Sequence, residues 1–198
     1  MAIATDLIKK LREKTNAPMM DCKKALEESS GDMEIATDIL RKRGQIVAFK
    51  KAGRCAKEGV IGSYIHSNSK IGVLLEVNCE TDFVARNEDF KQFVKNVSMH
   101  VAATSPSYVS REEVPGHILE REKNVLKESV KNKPENIIEK IVQGKLEKFY
   151  SEVCLLDQPF VKDDKITIKD YLNELIGKIG ENILIRRFVR FQVGEDIK

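Results

Sequence analysis

The spacing of apolar positions changes period three times along this chain, and each change marks a candidate boundary. Up to residue 44 the spacing is helical: Leu7, Ile8 and Leu11 form a stripe behind Thr5, a residue type suited to an N-cap. The break at Asn16-Ala17-Pro18 ends that stripe. Pro18 suits the first turn of a second helix, in which Asp21 favours the positive end of the dipole and Ala25 and Leu26 face inward. Gly31-Asp32 separates a third helix with Ala36, Ile39 and Leu40 on its inner face, and Gly44 is placed to stop it.

From Gly59 the period becomes two. Ile61, Ser63 and Ile65 alternate with Val60, Gly62 and Tyr64, the stretch from His66 to Lys70 is polar, and Ile71, Val73, Leu75, Val77 and Cys79 then share one face. Two such runs joined by a short polar loop predict a hairpin. Beyond Glu80 to Arg86, Asn87 can cap a helix whose Phe90, Phe93, Val94, Val97 and Val101 recur at intervals of three and four. Pro115 and Pro134 each sit where a helix can begin, which predicts an antiparallel helical hairpin over residues 115–153. A short helix near Tyr171 to Ile176 leads into a final strand. There Ile183, Ile185, Val189, Phe191 and Val193 mark one face, and Arg186 and Arg190 the other. The fold class expected is α+β, a small antiparallel sheet packed with helices. Its organisation reads as a three-helix module over 1–44, a basic linker over 45–58 and an α+β core over 59–198.

Composition narrows the function. The 198 residues suffice for one or two modest cores, and 33% charged with 41% hydrophobic residues suits a globular chain. A formal charge of only +3 means that any nucleic-acid role must come from a local patch. The local candidate is residues 41–57, where Arg41, Lys42, Arg43, Lys50, Lys51, Arg54 and Lys57 occur with no acidic residue. That run reads first as a solvated linker or a contact for an acidic protein surface. No apolar run approaches the roughly 18 residues that span a bilayer, and the start lacks the blocks of a secretory signal, so a cytoplasmic protein without membrane contact is expected. Cys22, Cys55, Cys79 and Cys154 lack metal-ligand or redox spacing and read as reduced thiols.

No phosphate-binding loop, nucleophile elbow or HExxH helix is present, and no cofactor or metal site and no enzymatic activity are expected. His66, His100 and His117 stand apart from any cysteine and read as surface residues. Gly177 and Gly180 match a GXXG clamp for nucleic-acid backbone, but alone that match is weak, and a helix end at Gly177 with a turn at Gly180 is the favoured reading. The segment from Glu80 to Arg86 stands out because neither neighbouring period claims Phe83. An aromatic at a loop tip can fold back over the core, lie exposed, or enter a partner.

Four stretches in order resemble the bacterial elongation factor Ts family. They are Met19-Met20-Asp21-Cys22-Lys23-Lys24-Ala25-Leu26, the run from Leu75 to Arg86 that contains Thr81-Asp82-Phe83-Val84, the run from Cys154 to Val161, and Ile179-Gly180-Glu181-Asn182-Ile183 with Arg186-Arg187-Phe188 behind it. The resemblance implies a ubiquitin-associated type of N-terminal module that docks on elongation factor Tu, a GTPase of translation, with Lys23 in contact. It further implies that Thr81, Asp82, Phe83 and Val84 disturb the magnesium site of that partner, Phe83 by insertion and Asp82 by displacing the element that holds metal and phosphates. The function implied is guanine-nucleotide exchange; a nucleic-acid or ribosome-binding module using residues 41–57 is the alternative, although no direct nucleic-acid contact is expected. Longer members carry a second sheet-bearing half and a C-terminal module that this chain lacks. A homodimer is therefore expected, with two copies of each protein in the working assembly.

Overall fold

A computed structural model describes residues 3–15, 17–128, 130 and 134–196. Asn16, read above as part of a helix break, lies outside these. The chain opens with α1 (Thr5–Thr15), α2 (Met19–Glu28) and α3 (Met33–Lys51), followed by β1 (Glu58–Ile65) and β2 (Ile71–Cys79). A four-residue turn of helix, α4 (Asp82–Ala85), precedes α5 (Glu88–Thr104), α6 (Gly116–Glu128) and α7 (Glu135–Val153). Then come β3 (Pro159–Phe160), β4 (Asp163–Thr167), α8 (Ile168–Ile179) and β5 (Ile183–Gln192). The class is α+β: three strands in the order β1-β2-β5 form a small antiparallel sheet, and β3 and β4 pair separately.

The chain divides into two compact units that interleave in sequence. The first comprises Met1–Gly62, Glu76–Asn96 and Asp170–Arg186. Its N-terminal helices enclose Ile8, Leu11, Cys22, Ala25, Leu26 and Ala36. Helix α1 starts on Ala4, whose carbonyl accepts from Leu7 and Ile8, so Thr5 is the first helical residue and not the cap. Asp32 caps α3 by accepting from Glu34 and Ile35 at 2.8 and 2.9 Å.

Gly44 does not stop α3, and Gly177 does not end α8. Helix α3 continues to Lys51 and takes in residues 45–51 of the expected linker. A Cβ on Gly44 would lie 3.2 Å from the Asn173 carbonyl oxygen, and one on Gly177 would lie 3.2 Å from the Gly44 Cα. The two glycines are where these helix backbones meet, so their small size is used for close approach and not for a turn. Arg41 and Gln45 of α3 both reach the Asp170 carboxylate at the start of α8. Gly180, at φ +80, turns the chain after α8. In the same unit the Phe93 and Tyr171 rings lie 5.0 Å apart, and Asn96 donates to the Tyr171 hydroxyl at 2.9 Å.

The second unit comprises Ser63–Leu75, Val97–Lys169 and Arg187–Lys198. Val73 and Leu75 are buried as the alternation requires. Strand β5 departs from its expected pattern. Ile183 and Ile185 are buried, but Arg186 and Arg187 are both exposed, and beyond them Phe188 and Arg190 are less exposed than Val189 and Phe191. Val189, Phe191 and Val193 face solvent, while Arg190 donates to the Ala102 carbonyl oxygen at 3.3 Å. Arg111 binds Glu147 through two nitrogens at 3.1 and 2.8 Å and Asp157 at 2.9 Å, and its guanidinium lies over the Tyr150 ring.

His100 is fully buried, contrary to its reading as a surface residue; His66 and His117 are exposed. On α5 it lies three residues after Val97 and so shares the buried face although imidazole is polar, and both ring nitrogens are satisfied inside. Nε2 lies 2.9 Å from Gln158 Oε1, and Val161 N–H donates to Nδ1 at 3.3 Å. This pairing requires neutral imidazole with the proton on Nε2. Burial lowers the His100 pKa, against a smaller opposing pull from Gln158. The unfolded chain, with its ordinary value of about 6.5, therefore binds the proton more readily. The stability this residue contributes is complete above that value and is lost as pH falls, by up to about 1.4 kcal/mol per pH unit. Urea unfolding followed from about pH 7 to about pH 5.5 should show a falling midpoint, and His100→Gln, which does not titrate, should show a shallower fall.

Candidate functional site

The candidate site is a corner where β2 ends and α4 begins. Thr81 caps α4: its hydroxyl accepts from Val84 N–H at 3.4 Å and donates to Glu181 Oε1 at 2.7 Å. Glu181 Oε2 accepts from the backbone N–H groups of Glu80 and Thr81 at 3.2 and 3.0 Å. Glu80 returns the arrangement, its carboxylate accepting from Asn182 N–H at 2.6 Å. That bond, assisted by the neighbouring Arg54 charge, holds the Glu80 carboxyl below its ordinary range. Asn182 in turn donates to the Arg54 carbonyl at 2.8 Å, and Lys51 donates to that of Gly180.

The four residues singled out from sequence meet different fates at this corner. Val84 and Ala85 are buried and anchor α4. Thr81 is tied to Glu181. Asp82 is half exposed and paired with Arg86 at 2.9 Å, an i,i+4 contact that contributes at most about 1 kcal/mol and is easily exchanged. Phe83 is 79% exposed. Of the three fates open to that ring, folding back over the core is excluded. The expected loop is a capped helical turn, and Glu181 had no assigned role in the sequence reading. Only its acidic side chain beside Gly180 could have hinted at one.

Lys23 lies in the same unit on the exposed face of α2, with Glu27 one turn away at 3.8 Å. Met19 and Met20, 44% and 61% exposed, lie one turn before it and give it an adaptable apolar surround. The basic run is less available than its sequence suggests. Arg41 pairs with Asp170, Arg43 with Glu28 and Arg54 with Glu80, and Lys51 is bound to Gly180. Among the described residues no group of three or more His, Cys, Asp and Glu could hold a metal ion, and no helix is long and apolar enough to cross a membrane.

The sequence profile of the family described as Elongation factor TS matches residues 1–195. The chain belongs to the elongation factor Ts family. Relatives named elongation factor Ts include one from Thermodesulfovibrio yellowstonii, 59% identical over 196 residues and covering 98% of each chain. Those from Thermotoga maritima and Geobacter sulfurreducens are 57% and 56% identical, covering 98% and 100% of this chain and 98% and 93% of the relatives. Family membership assigns the chain a role in translation elongation.

The cysteines of this family member are free thiols, with Cys22, Cys79 and Cys154 buried and Cys55 exposed. Cys79 closes β2 and donates to the Thr81 carbonyl at 3.1 Å; burial, reinforced by the Glu181 charge, pushes its thiol up to about 11. Burial also pushes Cys154 up to about 11 and raises Cys22. Thiolates are the reactive species. Brief treatment of the native chain with iodoacetamide should add one label, at Cys55, by peptide mass spectrometry. Equally fast labelling of Cys79 would contradict a sealed corner.

Proposed function

We propose that this chain is a guanine-nucleotide exchange factor for elongation factor Tu, and that Phe83 and Asp82 act on the magnesium and phosphate site of that GTPase. The observation that carries the reading is an exposed phenylalanine on a corner where Thr81, Val84 and Ala85 are tied down. An aromatic ring held outward without an intramolecular partner is arranged to be buried by another molecule.

Magnitudes require more than the ring. A nanomolar nucleotide complex corresponds to about 12 kcal/mol, whereas burying one phenylalanine contributes about 1.5–3 kcal/mol. A second contact through Lys23, Met19 and Met20 supplies further interface. Exchange then rests on coupling: factor and nucleotide each weaken the other's binding, so abundant nucleotide later expels the factor. No covalent step in this chain is needed. The alternative of a nucleic-acid or ribosome-binding surface over residues 41–57 is less favoured, because four of its seven cations are engaged within the chain.

The homodimer is proposed through the second unit. Ile65, Leu74, Phe191 and Val193 are 64%, 47%, 62% and 69% exposed, and Gly72 would place a Cβ 3.1 Å from the Ile65 Cδ1 on this side of the hairpin. Val193 N–H donates to the Lys70 carbonyl at 2.8 Å, bringing the end of β5 beside the same hairpin. A second copy offering the same residues would cover this apolar surface symmetrically.

Phe83→Ala should slow stimulated release of labelled GDP from elongation factor Tu by about ten-fold or more while leaving the melting temperature unchanged. Release at the unaltered rate contradicts the wedge. Light scattering at micromolar concentration should give twice the chain mass, and Phe191→Asp should give the single-chain mass. A monomeric mass for the unaltered chain contradicts the pairing.

A further inference from the structure

We propose that Glu181 is a positioning residue for exchange: from the turn after α8 its carboxylate fixes Thr81, and through Thr81 the direction in which Phe83 leaves the chain. The inference rests on the reading of Phe83 as the inserting ring.

The geometry concentrates on one side chain. Glu181 accepts three hydrogen bonds, from Glu80 N–H, Thr81 N–H and the Thr81 hydroxyl. The same Thr81 hydroxyl accepts from Val84 N–H, and the Thr81 carbonyl accepts from Ala85 N–H at 3.3 Å. Phe83 lies between these fixed points. Helix α4 has four residues, fewer than a helix needs to persist by its own hydrogen bonds, so its axis is set by what holds its first residue. The exposed ring cannot orient itself by packing. Its segment is anchored inward by the buried Val84 and Ala85, by the Cys79 thiol on the Thr81 carbonyl and by this carboxylate.

A charged acceptor on backbone donors suits the task. Hydrogen bonds to an ionised group are shorter and stronger than neutral ones, and a carboxylate can take several donors at once. Gly180 at φ +80 supplies the turn that brings Glu181 round to the end of β2. Asn182 continues the contact by donating its backbone N–H to Glu80, so the two segments hold each other reciprocally. A ring directed before docking avoids the ordering cost of a mobile one, and a misplacement of about 1 Å in a reacting assembly can cost up to about 100-fold in rate.

The test is stopped-flow release of labelled GDP from elongation factor Tu across a range of concentrations of this chain. Glu181→Ala should lower the maximal release rate by about ten-fold and move the half-saturating concentration by less than about three-fold, because the Lys23 contact is untouched. Glu181→Gln, which keeps an oxygen for the two N–H groups and an amide for the Thr81 hydroxyl, should restore most of the rate. Hydrogen exchange of Val84 and Ala85 amides in the free chain should accelerate in Glu181→Ala and not in Glu181→Gln. Should the alanine variant fail to fold, Glu181→Asp, which retains the charge on an arm one methylene shorter, should show the same split at smaller amplitude. A normal maximal rate for folded Glu181→Ala or Glu181→Asp, with Phe83→Ala slow, overturns the positioning role and leaves the wedge standing. A normal rate for Phe83→Ala overturns the wedge and this inference together.

Discussion

Two carboxylates, each accepting from the backbone of the segment that carries the other, make the corner on which the first unit depends. Glu181 receives the N–H groups at the end of β2, and Glu80 receives the N–H of Asn182. Three segments remote in sequence meet there, since Arg54, just beyond α3, pairs with Glu80 and gives its carbonyl to Asn182. An aromatic residue in an unsupported loop would bury its ring against its own chain. Here the backbone on either side of Phe83 is already committed, so the ring has no route inward.

The same unit ties the corner to the N-terminal helices. Helices α3 and α8 approach at Gly44 and Gly177, and Arg41 and Gln45 grip Asp170. Helix α8 then delivers Gly180, Glu181 and Asn182 to the corner. Lys23 and Phe83 thus belong to one compact unit joined through packed backbone and not through a loose linker. Under the proposed function, that continuity lets energy gained where Lys23 docks act at Phe83. A flexible connection would lose it to chain entropy.

Much of this was legible in the sequence, and the exceptions share a physical origin. The inward face of β2 and the stripe of α5 followed from period alone, because Val73, Leu75, Val77, Phe90 and Phe93 bury side chains whose chemistry admits no other placement. Gly44 and Gly177 were misread because a glycine that ends a helix and one that admits a neighbouring helix look identical in one dimension. His100 was misread because its partners, Gln158 and Val161, lie far along the chain. In β5 the burial of Ile183 and Ile185 does not continue past Arg186-Arg187, so Val189, Phe191 and Val193 stay exposed, and only the strand itself reveals it. Phe83 stands out by period and Thr81, Asp82 and Val84 by resemblance, yet the division of the segment into anchor, cap and exposed ring needed coordinates. Glu181 was invisible as a partner of Thr81 because their contact spans a hundred positions.

The central claim of the proposed function is that the ring of Phe83 leaves solvent for a pocket of the partner, and that bound nucleotide opposes this insertion. Fluorine NMR on the chain carrying 4-fluorophenylalanine at position 83 reads that environment directly. The resonance should move on addition of nucleotide-free elongation factor Tu and return to its free position when excess GDP is added. A resonance that stays in place while the two proteins are bound would contradict it.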